Sequence, residues 1–345
     1  MHLSDFDYEL PDELIAQEPL ASRDAARMLI VDRTAESWRD SEFVSFPDCL
    51  NRSDVLVLNN TRVFPARLKA ARVGTGGTIE LLLVREIEPF VWECMARPGR
   101  RLSAGVRLVF GESDLQGEVL KLCDNGLRIV RFESAQPWDQ IVDVVGSTPV
   151  PPYIKREQGP ALADIERYQT IYARERGAIA APTAGLHFTD EILDKIRDRG
   201  ITVVQITLHV GYGTFEPIRV ENVRLHRVAS EWFSVSEPAA ATINQARAEG
   251  KRIVAVGTTT VRALESSTNE FGRIVSGSDL ANLTIIPGYN FRAVDAMLTN
   301  FHLPRSSLLV LVSAFSGREL VLAAYRHAVR ERYRFYSYGD CMLIS

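Results

Sequence analysis

Between about Arg67 and Ser147 the chain carries apolar runs of strand length and no convincing helix. TIELLLV, VWECMA, VRLVF, GEVLKL and LRIVRF follow one another, separated by turns such as GTGG, PGRRLSAG and CDNG. Short strands at this spacing predict an antiparallel sheet or small barrel.

The flanks have a different texture. RMLIVDR and DVLVLNNTRVFPARL, before the run, read as short apolar strands. After it, the proline-rich STPVPPYIKREQGP suits an extended return linker. Strands and helices then alternate: GAIAAPTAG, a helix from TDEILDKIRDRG, ITVVQITLHVG, PAAATINQARAEG, KRIVAVG and TTTVRALESS. Thr189 is the expected N-cap of the first helix, with Asp190 and Glu191 in its opening turn and Gly200 at its end. The predicted fold is an α/β domain with a parallel or mixed sheet flanked by helices, plus an inserted antiparallel β-barrel. The boundaries are 1–66 and 148–345 for the discontinuous α/β domain and 67–147 for the insert.

A chain of 345 residues, 46% of them hydrophobic, can bury a core large enough for this plan. Cys49, Cys94, Cys123 and Cys341 lie far apart with no CxxC spacing, which favours reduced thiols. The acidic N-terminus and the lack of an apolar run of membrane-spanning length predict a cytoplasmic protein with no membrane partner. With a net charge of −4, a nucleic-acid partner would have to be held by a local basic patch.

Ligands of open α/β sheets bind at the carboxyl ends of strands. Three unusual loops fall there: PTAGLHF (182–188), HVGYGTFEP (209–217) and VGTTTVRALE (256–265). The third offers hydroxyls and free N–H groups at a helix start, which suits a polar or anionic group or a plain cap. In the second, GxG lacks the third glycine of a dinucleotide fingerprint. His187 and His209 each sit where a strand gives way to a glycine turn. Further on, Asp295, Asn300 and His302 fall in one polar-studded segment, a carboxylate, an amide and an imidazole suited to base, positioning and acid roles. P-loop, nucleophile-elbow and HExxH motifs are missing, so the expected catalysis is metal-free. Arg326, Arg330, Arg332 and Arg334 lie among Tyr325, Tyr333, Phe335, Tyr336 and Tyr338, a mixture that single-stranded RNA favours; RPGRR in the insert is a second basic cluster.

These residues together resemble a known family, the S-adenosylmethionine:tRNA ribosyltransferase-isomerases of queuosine biosynthesis. The likeness runs from DFDYELPDELIAQEPLASRDAARMLIVDR through NNTRVFPARL, TPVPPYIKR, AAPTAGLHFT, TLHVGYGTFEP, VGTTTVRALES and PGYNFRAVDAMLTNFHLP to YRFYSYGDCMLI, nearly the whole chain. The resemblance implies transfer and isomerisation of the ribosyl part of S-adenosylmethionine onto 7-aminomethyl-7-deazaguanine at the wobble position of a tRNA with a GUN anticodon. Epoxyqueuosine-tRNA, adenine and methionine would be the products, formed by a monomer that needs no cofactor or metal.

That chemistry accounts for the residue types. The sulfonium acidifies the ribose C5′ hydrogens, so a carboxylate or neutral imidazole can take one, and adenine leaves more readily once protonated. His187, His209, Asp295 and His302 are the expected acid/base residues. Arg62, Thr214, Thr258, Arg262, Glu265 and Asn300 are expected to bind the ribose and methionine end, and Arg330, Arg332 and Arg334 the tRNA. Two departures from the family pattern stand out. Where H-x-M-H-x-E is expected the chain reads His226, Arg227, Val228, Ala229, Ser230, Glu231, and Asn60 replaces the usual Asp of N-D-T-R. Loss of the second histidine opens an alternative, a tRNA-binding protein of the same fold without turnover. A methyltransferase is the other alternative.

Overall fold

The structure is a computed structural model describing residues 1–156, 162–215 and 217–345, except the side chains at 101, 162, 163, 214 and 215. Two compact units emerge. One comprises Met1–Arg62, Pro151–Lys155 and Glu166–Ser345, the other Val63–Val150 and Arg156–Ile165.

The larger unit is built on a nine-stranded mixed sheet. From edge to edge its strands are Gly277–Ala281, Glu231–Val235, Thr202–Leu208, Val55–Asn59, Ile253–Val256, Ala296–Asn300, Cys341–Ile344, Arg27–Asp32 and Ser37–Glu42. The central four, from Thr202–Leu208 to Ala296–Asn300, run parallel, so their carboxyl ends share one edge of the sheet. Val55–Asn59, Ile253–Val256 and Ala296–Asn300 are buried throughout, as the middle of a sheet covered on both faces demands.

Two local expectations hold and two need correction. Thr189 caps the helix Asp190–Asp198, its hydroxyl accepting the Ile192 N–H at 3.3 Å, and Gly200 ends the segment in the left-handed region at φ 79°. The strand predicted in GAIAAPTAG is confined to Glu175–Ala178 and lies outside the nine-stranded sheet, because the Pro182 turn leads into a short 3-10 helix, Thr183–His187. AMLTN, within the segment read as polar-studded, is instead the buried central strand Ala296–Asn300. Its polar residues mark the end of a strand and not a loop.

The smaller unit closes on itself. Arg67–Arg72, Thr78–Glu88, Val91–Arg97, Arg128–Glu133, Gln116–Leu122 and Arg107–Val109 pair in that order, and the last returns to the first with Ala71 opposite Val109. Every neighbour is antiparallel, so this is a six-stranded barrel. The expectation of no helix fails at its end, where Trp138–Val145 is helical. Trp138, Ile141 and Val142 share one face of this short helix, and Trp138 stacks on Trp92 at 5.4 Å between centroids.

Among the described residues no single helix is long and apolar enough to cross a membrane. All four cysteines are free.

Beneath the sheet, the helix Asp190–Asp198 presses Ile192, Leu193 and Ile196 onto Phe43, Phe46 and Phe188. Phe188 is fully buried and meets Phe43, Phe46 and Tyr172 edge-on at 5.2, 5.7 and 6.1 Å. Deleting its ring leaves a void that rigid neighbours cannot fill. Phe188→Ala should therefore lose about 3–5 kcal/mol of unfolding free energy, read as a lower denaturant midpoint at unchanged slope.

Candidate active site

The shared carboxyl edge of the central strands gathers four of the expected residues: His209, Thr258, Asn300 and His302. Asn59 ends one strand, His209 follows the next, Gly257 and Thr258 the third, and Asn300 and His302 the fourth. Asn59 fastens two of these ends together. Its Nδ2 donates to the Leu208 carbonyl at 2.9 Å, and its Oδ1 accepts the N–H groups of Leu208 and Thr61 at 3.0 and 3.1 Å. Asn60 keeps the acceptor function that an aspartate would have, taking the Thr207 hydroxyl at 2.7 Å.

A small open cavity lies at this edge. Thr183, Thr258, Thr259, Thr299, His302 and Ser337 bring hydroxyls and an imidazole to its wall. Gly257 makes the entry possible at φ 89°, a conformation costly for residues with a Cβ. Such a lining offers hydrogen bonds to the hydroxyls of a polar ligand.

The three histidines have different surroundings. His302 is buried, with Nε2 at 3.4 Å from the Thr299 hydroxyl and Nδ1 at 3.3 Å from the Tyr325 hydroxyl. Burial pushes its pKa down to about 3. His209 shares a 2.8 Å hydrogen bond between Nδ1 and the Thr61 hydroxyl and stacks on Trp232 at 4.8 Å. A side chain at position 177 would collide with its ring, which explains Gly177. Burial lowers the His209 pKa to about 4. His187 is buried beside Phe43, and burial likewise brings it to about 4, with the Asn300 side chain opposing the shift and Arg23 and Arg334 adding to it. Asn300 donates Nδ2 to the Tyr336 carbonyl at 2.8 Å and keeps a buried Oδ1 without a hydrogen bond. All three imidazoles are therefore neutral near pH 7.

Other expected residues lie elsewhere. Asp295 is exposed at the amino end of Ala296–Asn300, where its carboxylate accepts the Ile253 N–H at 2.7 Å. Five residues of strand, about 16 Å, separate it from Asn300. Arg262 is buried in an ion pair with Glu231 and donates to the Ala281 carbonyl at 2.9 Å. Glu265 accepts Tyr289 OH and the N–H groups of Arg292 and Ala293 at 2.9–3.0 Å, so its carboxylate shapes the 289–293 loop. Both hold loops in place, a role that sequence spacing does not separate from ligand binding. Arg62 is exposed next to Thr61, and the Thr214 side chain lies outside the described residues.

The C-terminal cluster also divides. Arg330 and Arg332 are exposed, whereas Arg334 is half-buried and donates to the Glu18 carbonyl. Tyr325, Tyr333, Phe335, Tyr336 and Tyr338 are buried in the core, so these rings offer no stacking surface to bases.

Sequence reasoning missed Thr61, Thr299, Glu231, Trp232 and Ser337. Glu231 carried a signal, as the retained end of the H-x-M-H-x-E block. It accepts the Gly211 N–H at 2.8 Å and pairs with Arg262, tying the HVGYG turn to the helix Thr258–Ser266. Ala229 packs on that turn, because a Cβ on Gly213 would lie 2.3 Å from the Ala229 methyl.

Histidines kept neutral by burial bind protons more readily when unfolded, so they contribute stability above pH 6.5 that is lost as pH falls towards 4. The loss should be on the order of 3 kcal/mol each for His187 and His302. Melting temperature measured from pH 7 to 4.5 should fall steeply in the native chain and less in His302→Gln. Parallel curves would show that His302 does not contribute.

Comparison with known proteins gives a consistent assignment. A family model described as "Queuosine biosynthesis protein" matches residues 3–344. The chain is 51% identical over 345 residues to the S-adenosylmethionine:tRNA ribosyltransferase-isomerase of Moorella thermoacetica and 48% identical over 344 residues to that of Desulforamulus reducens, with 100% of each chain covered. It also matches the crystal structure of S-adenosylmethionine tRNA ribosyltransferase from Thermotoga maritima, at 37% identity and a TM-score of 0.56, over 99% of this chain and 100% of that one. With the mixed sheet, the closed barrel and a match along the whole chain, this protein belongs to the queuosine biosynthesis family.

Proposed function

We propose that this chain is a transferase that moves and isomerises the ribosyl part of S-adenosylmethionine onto 7-aminomethyl-7-deazaguanine at the wobble position of a tRNA with a GUN anticodon. Adenine and methionine leave, and epoxyqueuosine-tRNA remains. The observation that carries this reading is full-length identity of 47–51% to four chains named for that activity. The cavity supports it with a hydroxyl lining and an adjacent neutral imidazole.

In this reading S-adenosylmethionine is consumed as a substrate and the enzyme works as a cytoplasmic monomer without a metal or cofactor. Thr258, Thr259 and Thr299 bind the ribose hydroxyls, and the buried Asn300 Oδ1 accepts a substrate N–H or O–H. A neutral imidazole takes one C5′ proton made acidic by the sulfonium, and so becomes an imidazolium. That imidazolium returns the proton to the departing adenine ring. Burial keeps the imidazole neutral at the outset at the expense of its basicity, and once charged it is a strong acid towards the adenine ring. The neutral amine of the deazaguanine then forms a C–N bond to the ribosyl part and gives up a proton. A ribosyl hydroxyl oxygen, losing its proton, closes the epoxide on the carbon bonded to sulfur as that C–S bond breaks and its electrons discharge the sulfonium to methionine. Arg330 and Arg332, exposed at the end of the helix Arg318–Arg330, meet tRNA phosphates.

Alanine variants of His187, His209 and His302, each followed by adenine release, test the cycle. The variant lacking the proton carrier should lose about 10²–10⁴-fold in turnover while still binding S-adenosylmethionine. Near-normal release in all three would remove imidazole from the mechanism.

A further inference from the structure

A second cleft opens beside His187 in the same unit. Ser22, Arg23, Arg167, His187, Ser337 and Tyr338 are among its walls, and Ser337 also faces the hydroxyl-lined cavity. Its arginines are unusual. Arg23 donates to the Leu186 and Glu166 carbonyls at 3.2 and 3.0 Å, and Arg167 to those of Ala21 and Leu20 at 3.1 and 2.7 Å. Neither has a carboxylate partner among the described residues.

Each guanidinium has five N–H donors, so those main-chain contacts leave donors to spare. Buried Nε of Arg167 and Nη1 of Arg334 have no hydrogen bond. Arg334 is near enough to depress the His187 pKa, and Arg167 depresses that of Arg23 after burial itself. Nearby carboxylates offset part of this charge: Glu166 favours the charged form of Arg23, and Asp340, which accepts the main-chain N–H groups of Arg27 and Arg334 at 2.9 and 2.8 Å, favours that of Arg334. Half-buried guanidiniums with only partial counter-charge and donors to spare are stabilised by an anion that completes the site.

We infer that Arg23 and Arg167, with Arg334 behind them, form a phosphate-binding cleft that holds a backbone phosphodiester of the RNA substrate next to the catalytic cavity. The inference rests on the ribosyl-transfer reading and adds to it a specific RNA contact. S-adenosylmethionine suits the cleft less well, because its carboxylate is accompanied by a sulfonium and an ammonium that the arginines repel. RNA brings only negative charge, and a chain of net charge −4 needs a concentrated patch to hold it. Planar guanidiniums also match phosphate oxygens in bidentate fashion.

The test is binding of an anticodon stem-loop RNA, across a range of KCl concentrations, to the native full-length chain, Arg167→Gln, Arg23→Gln and Arg167→Lys. S-adenosylmethionine affinity, melting temperature and native adenine release are measured alongside. For each Gln variant the expected result is weaker RNA binding at low salt and a log K against log salt slope shallower by about one, with S-adenosylmethionine affinity unchanged. Arg167→Lys should recover the slope, which separates lost charge from a disturbed fold. Unchanged slopes in folded Gln variants of an enzyme that releases adenine would overturn the inference alone. A fall in S-adenosylmethionine affinity at unchanged RNA slope would overturn it in favour of the carboxylate. A native chain that binds the RNA but releases no adenine would count against the ribosyl-transfer reading, while the slopes still decide the cleft.

Discussion

The buried ion pair between Arg262 and Glu231 is the contact on which the site's assembly depends. Arg262 lies on the helix Thr258–Ser266, whose first residue faces the cavity, and Glu231 opens the strand Glu231–Val235. Glu231 also holds the Gly211 N–H, and Arg262 holds the carbonyls of Ala229 and Ala281. One pair of opposite charges thus joins the middle of a helix, a glycine turn and two strands. Removing either partner strands the other as a buried charge, a loss of about 3–5 kcal/mol. The arrangement explains why the residues nearest the chemistry can be small and polar. Their positions are set from behind by this buried pair.

The same division of labour shows what the sequence made legible. Strand runs such as TIELLLV and LRIVRF announced the barrel, because alternation and turn chemistry are local signals. Thr189, Gly200 and the threonine-rich helix start were readable for the same reason. Asp295 was not, since its role depends on which end of a strand it occupies, and that is fixed by the parallel pairing of Ala296–Asn300 with Ile253–Val256. Arg262 and Glu265 looked like ligand groups because their partners, Glu231 and the 289–293 loop, are distant in sequence or lack a motif. The C-terminal tyrosines misled for a related reason. An aromatic among arginines reads as a stacking ring, but whether it points outward is decided by packing, as with Tyr325 and Tyr333 beside Phe301.

Ala229 acquires a physical setting from the structure. Its methyl fills the space against Gly213, and its carbonyl accepts from Arg262, so the HVGYG turn is packed and hydrogen-bonded without an imidazole at 229. Three other imidazoles, at 187, 209 and 302, are held neutral by burial in the same unit. Neutral imidazole is therefore present in this unit without a histidine at 229.

The most direct test is chromatography of a reaction containing the native chain, S-adenosylmethionine and an anticodon stem-loop bearing 7-aminomethyl-7-deazaguanine at the wobble position. The account predicts adenine and methionine released in step with modified RNA. Bound RNA with no adenine would identify a binding protein silenced at Ala229, and S-adenosylhomocysteine in place of adenine would identify a methyltransferase; either result contradicts ribosyl transfer.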